Sequence, residues 1–325
     1  MEAVAGNPAS TPAARIRVGL IGAGRHGHAI IQPALRFAPI DVVATCSRHD
    51  TPTYPHVCHY MGHEQMLDAE AANLDACIVA VPAAAYRRVL SDILARGLPV
   101  WSEKPAAENA ADAAYLEGAA QQAGKPLVVG FNKRFATAYG MAAAAMRRPE
   151  FGRPTSFFGK FMVGGRYYTD ETSYLVDNPI HLIDLARFFM GEITAMHIER
   201  ADIHEGQWSY AVTLRFASGA VGGLQFGNTQ SWQQHNEFVE ITGEGHSVMV
   251  DNLVRYRYRP EEGPEEFWEP NFTVPADRNN SLVLAGYARQ FSHFVDVVLK
   301  GVSPRTSISD ARRALGLIDD IRRQR

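Results

Sequence analysis

The chain has 325 residues, 46% of them hydrophobic and 21% charged, with a formal net charge of −3. That length and composition fit a globular protein of two domains and exclude a low-complexity or fibrous chain. The near-neutral balance supplies no basic field for nucleic acid or an anionic membrane, and no apolar run reaches the roughly 20 residues that a membrane-spanning helix needs.

Residues 1–14 are rich in Ala, Pro, Ser and Thr but lack the basic and apolar regions of a signal peptide, so a disordered tail on a cytoplasmic protein is expected. Residues 17–27 then run from an apolar stretch (Val18, Leu20, Ile21) through Gly22, Gly24 and Gly27 into a helical pattern (Ala29, Ile30, Leu35). A strand, a tight turn with G-x-G-x-x-G spacing and a helix make a dinucleotide site. The first glycine permits the turn, the second lets a pyrophosphate approach backbone amides, and the third lets the helix pack close to the strand. Arg25 and His26 lie inside this loop and are cofactor-binding candidates with the three glycines.

The pattern continues as alternating strand and helix: strand over Ile40–Cys46, helix over 64–69, strand over 76–81, helix over 84–96, strand over 99–101, helix over 108–123 and strand over 127–130. Such alternation predicts a parallel sheet covered by helices, a Rossmann domain spanning 15–130. Beyond it, 131–325 reads as an α+β domain. Strands over 155–162, 193–203, 210–216, 221–226, 238–242 and 247–250, with turns at 217–219 and 243–245, predict a largely antiparallel open sheet. A helix over 180–190 interrupts them and 259–275 reads as a surface loop. Two amphipathic helices, 282–300 and 309–323 with Ser309 as N-cap, close the chain and are candidates to pack back on the first domain.

An NAD site carries a carboxylate at the end of the second strand for the ribose hydroxyls, about 20 residues past the glycines. Here Ser47 and Arg48 stand there, a hydroxyl beside a guanidinium, as a 2′-phosphate requires. This favours NADP; NAD stays open, because Arg48 could stack on adenine and Asp50 could reach the ribose. Glu103-Lys104-Pro105 follows the fifth strand, where open α/β sheets place catalytic groups, and a lysine there can bond a substrate oxygen. His56, Cys58, His59 and His63 have the chemistry of metal ligands but no second pair at zinc spacing, and no metal is expected. Asn132, Lys133 and Arg134 follow a strand end and are candidates for substrate contact, with Arg134 equally suited to a structural ion pair. Lys160, Arg166, Tyr167, Tyr168 and Trp232 supply the polar and aromatic composition of a carbohydrate site, and Asn132, Lys160, Arg166 and Trp232 are taken as its substrate-binding set.

Four segments together resemble the glucose-fructose oxidoreductase and inositol dehydrogenase (Gfo/Idh/MocA) family: Gly22-Ala-Gly-Arg-His-Gly27, Glu103-Lys-Pro105, Gly130-Phe-Asn-Lys-Arg-Phe135 and Asp177-Asn-Pro-Ile-His-Leu-Ile-Asp-Leu185. Their order is the family's. The resemblance implies that Lys104 is the catalytic lysine and that Asp177 and His181 complete the site from the second domain. The spacing agrees, since Asp177 could cap a helix that Pro179 opens, with His181 on its face one turn on. His181 would exchange a proton and Asp177 would orient it, with Asp184 in the same role one turn further. Two segments depart from the family: Pro82-Ala-Ala-Ala-Tyr86 replaces Pro-Asn with a following histidine, leaving Pro82 near the cofactor, and Asp170-Glu-Thr-Ser-Tyr174 replaces a glycine-rich run. The expectation is an NADP-preferring oxidoreductase, NAD being possible, acting on a secondary hydroxyl or carbonyl of a sugar, polyol or sugar derivative. The resemblance further implies a homodimer or homotetramer formed through the open sheet. A cofactor-retaining lyase or hydrolase and a non-catalytic sensor are the alternatives, the latter disfavoured by Lys104, Asp177 and His181.

Overall fold

The computed structural model describes residues 14–22, 24, 26–48, 54, 56–164, 168, 170–231, 234–273 and 276–324. Of the sites anticipated from sequence, Arg25, Asp50, Arg166, Tyr167, Trp232 and nearly all of the N-terminal tail fall outside these residues.

Six strands form a parallel sheet: β1 (Ile16–Ile21), β2 (Ile40–Cys46), β3 (Cys58–Tyr60), β4 (Ala76–Val79), β5 (Val100–Ser102) and β6 (Leu127–Val129), in the order β3-β2-β1-β4-β5-β6. The helices that follow them are α1 (Gln32–Leu35), entered through a wide turn over Gly27–Ile31, α2 (His63–Glu70), α3 (Tyr86–Ala95) and α4 (Ala110–Ala123). Because side chains alternate along each strand, the sheet buries both faces. Cys77 and Val79 of β4 point into one core with Leu67, Leu90 and Leu116, while Ile78 joins Val18, Leu20 and Leu35 in a second. The order reverses between β1 and β4, and at such a switch point the strand ends leave a crevice for ligand.

The second sheet has eight strands: β7 (Ser156–Met162), β8 (Ile193–His204), β9 (Gln207–Phe216), β10 (Val221–Gly227), β11 (Asn236–Thr242), β12 (Ser247–Asp251), β13 (Arg255–Arg259) and β14 (Glu266–Trp268). Their order is β14-β13-β12-β11-β7-β10-β9-β8, antiparallel except where β7 meets β10. One face, carrying Phe157, Phe161, Leu224 and Val239, packs on α5 (Thr137–Ala145), α6 (Glu171–Asp177) and α7 (Pro179–Met190); the other is open and exposes Phe158 and Phe267. β13 and β14 occupy ground that includes part of the anticipated surface loop. Tyr256 and Tyr258 are buried between outward-facing arginines, so the alternation of β13 continues the sheet.

The C-terminal region returns to the first sheet. α8 (Ser281–Leu284) and α9 (Tyr287–Lys300) replace the single helix expected, because Gly286 takes a left-handed φ of 91° between them. A Cβ there would meet the Asn132 carbonyl at 2.2 Å. α9 covers one face of the parallel sheet with Phe291 and Phe294, against Trp101 and Val128. α10 (Ile308–Arg323) packs on α4 at the other face. Its N-cap is Ser307, not Ser309: Ser307 and Asp310 close a reciprocal capping box, and residue 309 lies inside the first turn. No described helix is long and apolar enough to cross a membrane.

The short helical turn Asn132–Phe135 after β6 joins these parts. Asn132 Nδ2 donates to the Ala285 carbonyl at 2.8 Å, Lys133 pairs with Glu237 of β11, and the Arg134 guanidinium bonds both oxygens of Asp184 on α7, at 2.8 and 2.5 Å, and Asp310 of α10 at 3.0 Å. Arg134 and Asp184 are buried, so removing one partner strands the other charge away from water. Arg134→Ala is expected to lower unfolding stability by about 3–5 kcal/mol in urea titration.

Candidate active site

At the carboxyl ends of β1, β4 and β5 the parallel sheet meets α6, α7 and one end of the second sheet around a cavity of about 860 Å³. Its wall carries Lys104 from just after β5, Asp177 from the end of α6, His181 from the first turn of α7, Asn132 and Lys133 from the turn after β6, and His26 from the glycine loop. Residues remote in sequence thus meet at the crevice that the strand order predicts.

The Lys104 ammonium donates to Asp177 twice, to Oδ1 at 2.5 Å and to the main-chain carbonyl at 2.8 Å. The other carboxylate oxygen, Oδ2, accepts from the Tyr168 hydroxyl at 2.8 Å. An ammonium has three donors, so one remains for an oxygen in the cavity. Partial desolvation would push the Asp177 carboxyl up, but the Lys104 charge and hydrogen bond, with the Tyr168 bond, hold it below the usual range. Glu103 turns back on its own segment: Oε2 accepts from the Lys104 backbone N–H at 2.6 Å, and Oε1 lies 3.2 Å from His26 Nε2.

His181 is buried, stands edge-on to Phe131 with ring centroids 6.4 Å apart, and its enclosed Nδ1 has no hydrogen-bond partner among the described residues. Burial, reinforced by the charges of Lys133, Lys104 and His26, pushes its pKa well below the ordinary imidazole range. The ring is therefore neutral at physiological pH, which leaves one of its nitrogens as a hydrogen-bond acceptor.

The anticipated helix geometry around Asp177 differs. Asp177 ends α6, and the N-cap position of α7 is Asn178, whose side chain makes no capping bond. With both carboxylate oxygens engaged by Lys104 and Tyr168, Asp177 has no role as a cap. It orients the lysine, and no hydrogen bond joins it to His181 among the described residues. Asp184, expected to assist, is turned to Arg134 instead, and Arg134 is a structural partner. Lys160 stands on the open face of the second sheet, in a separate hollow with Phe238 and Arg257, away from Lys104. Its register explains this: Phe157, Gly159 and Phe161 of β7 face inward, so residue 160 faces out. Asn132 does line the cavity, and gives one amide N–H to the Ala285 carbonyl.

Glu237 was not anticipated. It is buried in the inward register of β11 with Val239 and Ile241, paired with Lys133 and accepting from the Tyr139 hydroxyl at 2.7 Å. A lone carboxylate at an inward position of an alternating strand was the available signal. Burial lowers the Lys133 pKa despite Glu237.

The glycine loop has the shape of a phosphate cradle. Gly22 has φ 97°, and a Cβ there would meet the Ala80 carbonyl at 2.1 Å. One at Gly27 would meet Gly22 O at 2.9 Å, whereas nothing lies within 4 Å of one at Gly24. The middle glycine thus borders open space that a diphosphate can enter, which fits a dinucleotide. Ser47, buried, and Arg48, exposed, follow β2, and Pro82 follows β4 at the same edge. Of the histidines weighed as ligands, His59 Nδ1 lies 3.0 Å from Thr45 Oγ1 and His63 Nε2 2.7 Å from Asp92. All three cysteines are free, Cys46 and Cys77 buried and Cys58 exposed.

The neutral state of His181 has a consequence for stability. Below about pH 6.5 the unfolded chain binds a proton at this imidazole that the folded chain refuses, so stability falls as pH falls. Between pH 7.5 and 5.5 the wild type is expected to lose about 1.4 kcal/mol more than His181→Gln, read from urea unfolding at both pH values.

Comparison with known proteins agrees with this arrangement. Residues 16–131 match the model of an oxidoreductase family with an NAD-binding Rossmann fold, and residues 141–249 match the GFO/IDH/MocA C-terminal domain. The D-apiose dehydrogenase of Paraburkholderia graminis is 25% identical over 281 residues, covering 80% of this chain and 72% of that one. Among solved structures, a dehydrogenase from Chromobacterium violaceum superposes with a TM-score of 0.86 at 20% identity, over 95% of each chain. GenD2 from gentamicin A biosynthesis, in complex with NAD, does so with a TM-score of 0.78 at 22% identity, over 97% of this chain and 95% of that one. Two family models covering the Rossmann domain and most of the second sheet, in the order the motifs require, establish that the chain belongs to the GFO/IDH/MocA family of NAD-binding oxidoreductases.

Proposed function

We propose that the protein transfers a hydride between a nicotinamide dinucleotide and a secondary hydroxyl or carbonyl of a sugar, polyol or sugar derivative, with NADP preferred. The observation that carries this reading is the Lys104–Asp177 pair facing a cavity shared with a neutral His181, beside a glycine cradle. The D-apiose dehydrogenase relative supports the substrate class, as does an amide-rich wall that includes Gln230, Gln234, Asn236 and Asn252, suited to hydroxyl groups.

When bound, the nicotinamide supplies hydride acceptance and donation. Gly22, Gly24, His26 and Gly27 would hold its diphosphate, Ser47 and Arg48 its adenosine end, and Pro82 and Glu103 would border the rest. In the oxidative direction the free N–H of Lys104 holds the reacting oxygen, and His181 takes the hydroxyl proton at Nε2, the nitrogen not enclosed. In reduction His181 returns it. Asp177 keeps Lys104 aimed. The Ser47–Arg48 pair supports the NADP preference, since a guanidinium and a hydroxyl complement a 2′-phosphate. The open face of the second sheet, with Phe158 and Phe267 exposed, suits a homodimer or homotetramer.

Cofactor titration by intrinsic fluorescence is the first test. NADPH is expected to bind at least tenfold more tightly than NADH, and Arg48→Ala to erase the difference; an NADH preference in the wild type would remove the Ser47–Arg48 assignment. A panel of keto-sugars and polyols followed at the nicotinamide absorbance then tests turnover. Lys104→Ala and His181→Ala are expected to lose at least tenfold in kcat/KM while still binding nucleotide. Tight cofactor binding without net redox change across the panel would favour a lyase using transient oxidation.

A further inference from the structure

The segment 170–174 departs from the family's glycine-rich run and has an effect on the site. Asp170 caps α6, its Oδ1 accepting from Ser173 N–H at 2.8 Å, so the chain is helical up to Asp177. That helix buries Tyr174, whose ring stands edge-on to Tyr168 with centroids 5.4 Å apart. Held there, the Tyr168 hydroxyl reaches two neighbours of Lys104: it donates to Asp177 Oδ2 at 2.8 Å and accepts from Asn178 Nδ2. Tyr168 also lines the cavity. Asn178, Tyr168, Asp177 and Lys104 therefore form one continuous chain of hydrogen bonds ending at the ammonium. The two oxygens of Asp177 are divided between a phenol and an amine, and this division sets the rotation of the carboxylate.

We propose that Tyr168 is a positioning residue for the proton-handling pair: its hydroxyl holds Asp177 Oδ2 so that Oδ1 stays on Lys104 and the remaining Lys104 N–H points into the cavity. The assignment deepens the oxidoreductase reading and rests on it. With an aliphatic side chain, or none, at position 168, the carboxylate would be free to rotate and the lysine would sample several directions. A rotating carboxylate leaves cofactor and substrate affinity in place and weakens the aim in the transition state, so the cost falls on kcat. The charged and titratable groups that face Asp177 in the cavity are Lys104, His26, Tyr168, His235 and Tyr287, and Lys133, His181 and Glu237 line the same cavity.

The test is Tyr168→Phe, which keeps the ring on Tyr174 and removes one oxygen. On whichever substrate of the keto-sugar and polyol panel is turned over, kcat is expected to fall about tenfold with KM within about twofold. The acid limb of its pH profile is expected to move to higher pH, because the carboxylate loses a donor that favours its ionised form. In an Asp177→Asn background the same change is expected to have no further effect, because the hydroxyl acts through that carboxylate. A second readout needs no substrate. Reductive methylation with formaldehyde and dimethylamine borane, read by peptide mass spectrometry, is expected to label Lys104 several times faster in Tyr168→Phe, with buried Lys133 unchanged. Equal labelling of Lys104 in wild type and variant overturns the proposal whether or not a substrate is known, and faster labelling of both lysines would show loosening of the fold and overturn it too. Faster labelling of Lys104 alone with no turnover on any substrate would uphold the positioning role and remove the redox reading.

Discussion

The buried pair of Arg134 and Asp184 is the constraint on which the arrangement rests. A guanidinium and a carboxylate withdrawn from water are tolerable only while each satisfies the other, so α7 cannot shift relative to the turn after β6 without exposing an unpaired charge. Asp310 adds α10 to the same guanidinium, and the Arg305 carbonyl accepts from it at 3.0 Å. The neighbours of Arg134 make parallel attachments, Asn132 to the entry of α9 and Lys133 to β11. Three consecutive residues thereby tie the edge of the parallel sheet to four separate parts of the chain. α7 carries His181 into the cavity, and β5 of the same parallel sheet delivers Lys104. The relative position of Lys104 and His181 is therefore set by a charge pair that never meets the cavity.

Within the cavity, charge is matched locally. Lys104 has Asp177, Lys133 has Glu237, and His26 has Glu103 within 3.2 Å. Among the described residues His181 has no such carboxylate. Surrounded by cations and an aromatic ring, it is neutral for reasons of environment. The lysine is directed by its carboxylate, and the histidine is kept uncharged by desolvation.

The second sheet contributes to this site from its end, not its face. Its inner face is consumed by α5, α6 and α7, and the residues of β11 that reach the cavity are the first two, Asn236 and Glu237. Lys160, at an outward position of β7, belongs to a different surface.

The sequence by itself determined the parallel sheet, the glycine loop at its first turn and the antiparallel sheet after it, while Lys104, Asp177 and His181 were indicated by resemblance to a family's motifs. These features are written in local periodicity, glycine spacing and the order of short motifs, all of which act within a few residues or one βα unit. The helix break at Gly286 and the capping of α10 by Ser307 were also local, but several residues of similar propensity competed for each role. Tertiary structure alone decided the pairings. Asp177 turns to Lys104 and Tyr168 and not to His181, Asp184 turns to Arg134, and Glu237 finds Lys133 across 104 positions of sequence. A carboxylate's partner depends on which charges and donors surround it once water has been excluded, and that neighbourhood exists only after the two sheets and the returning C-terminal helices have packed.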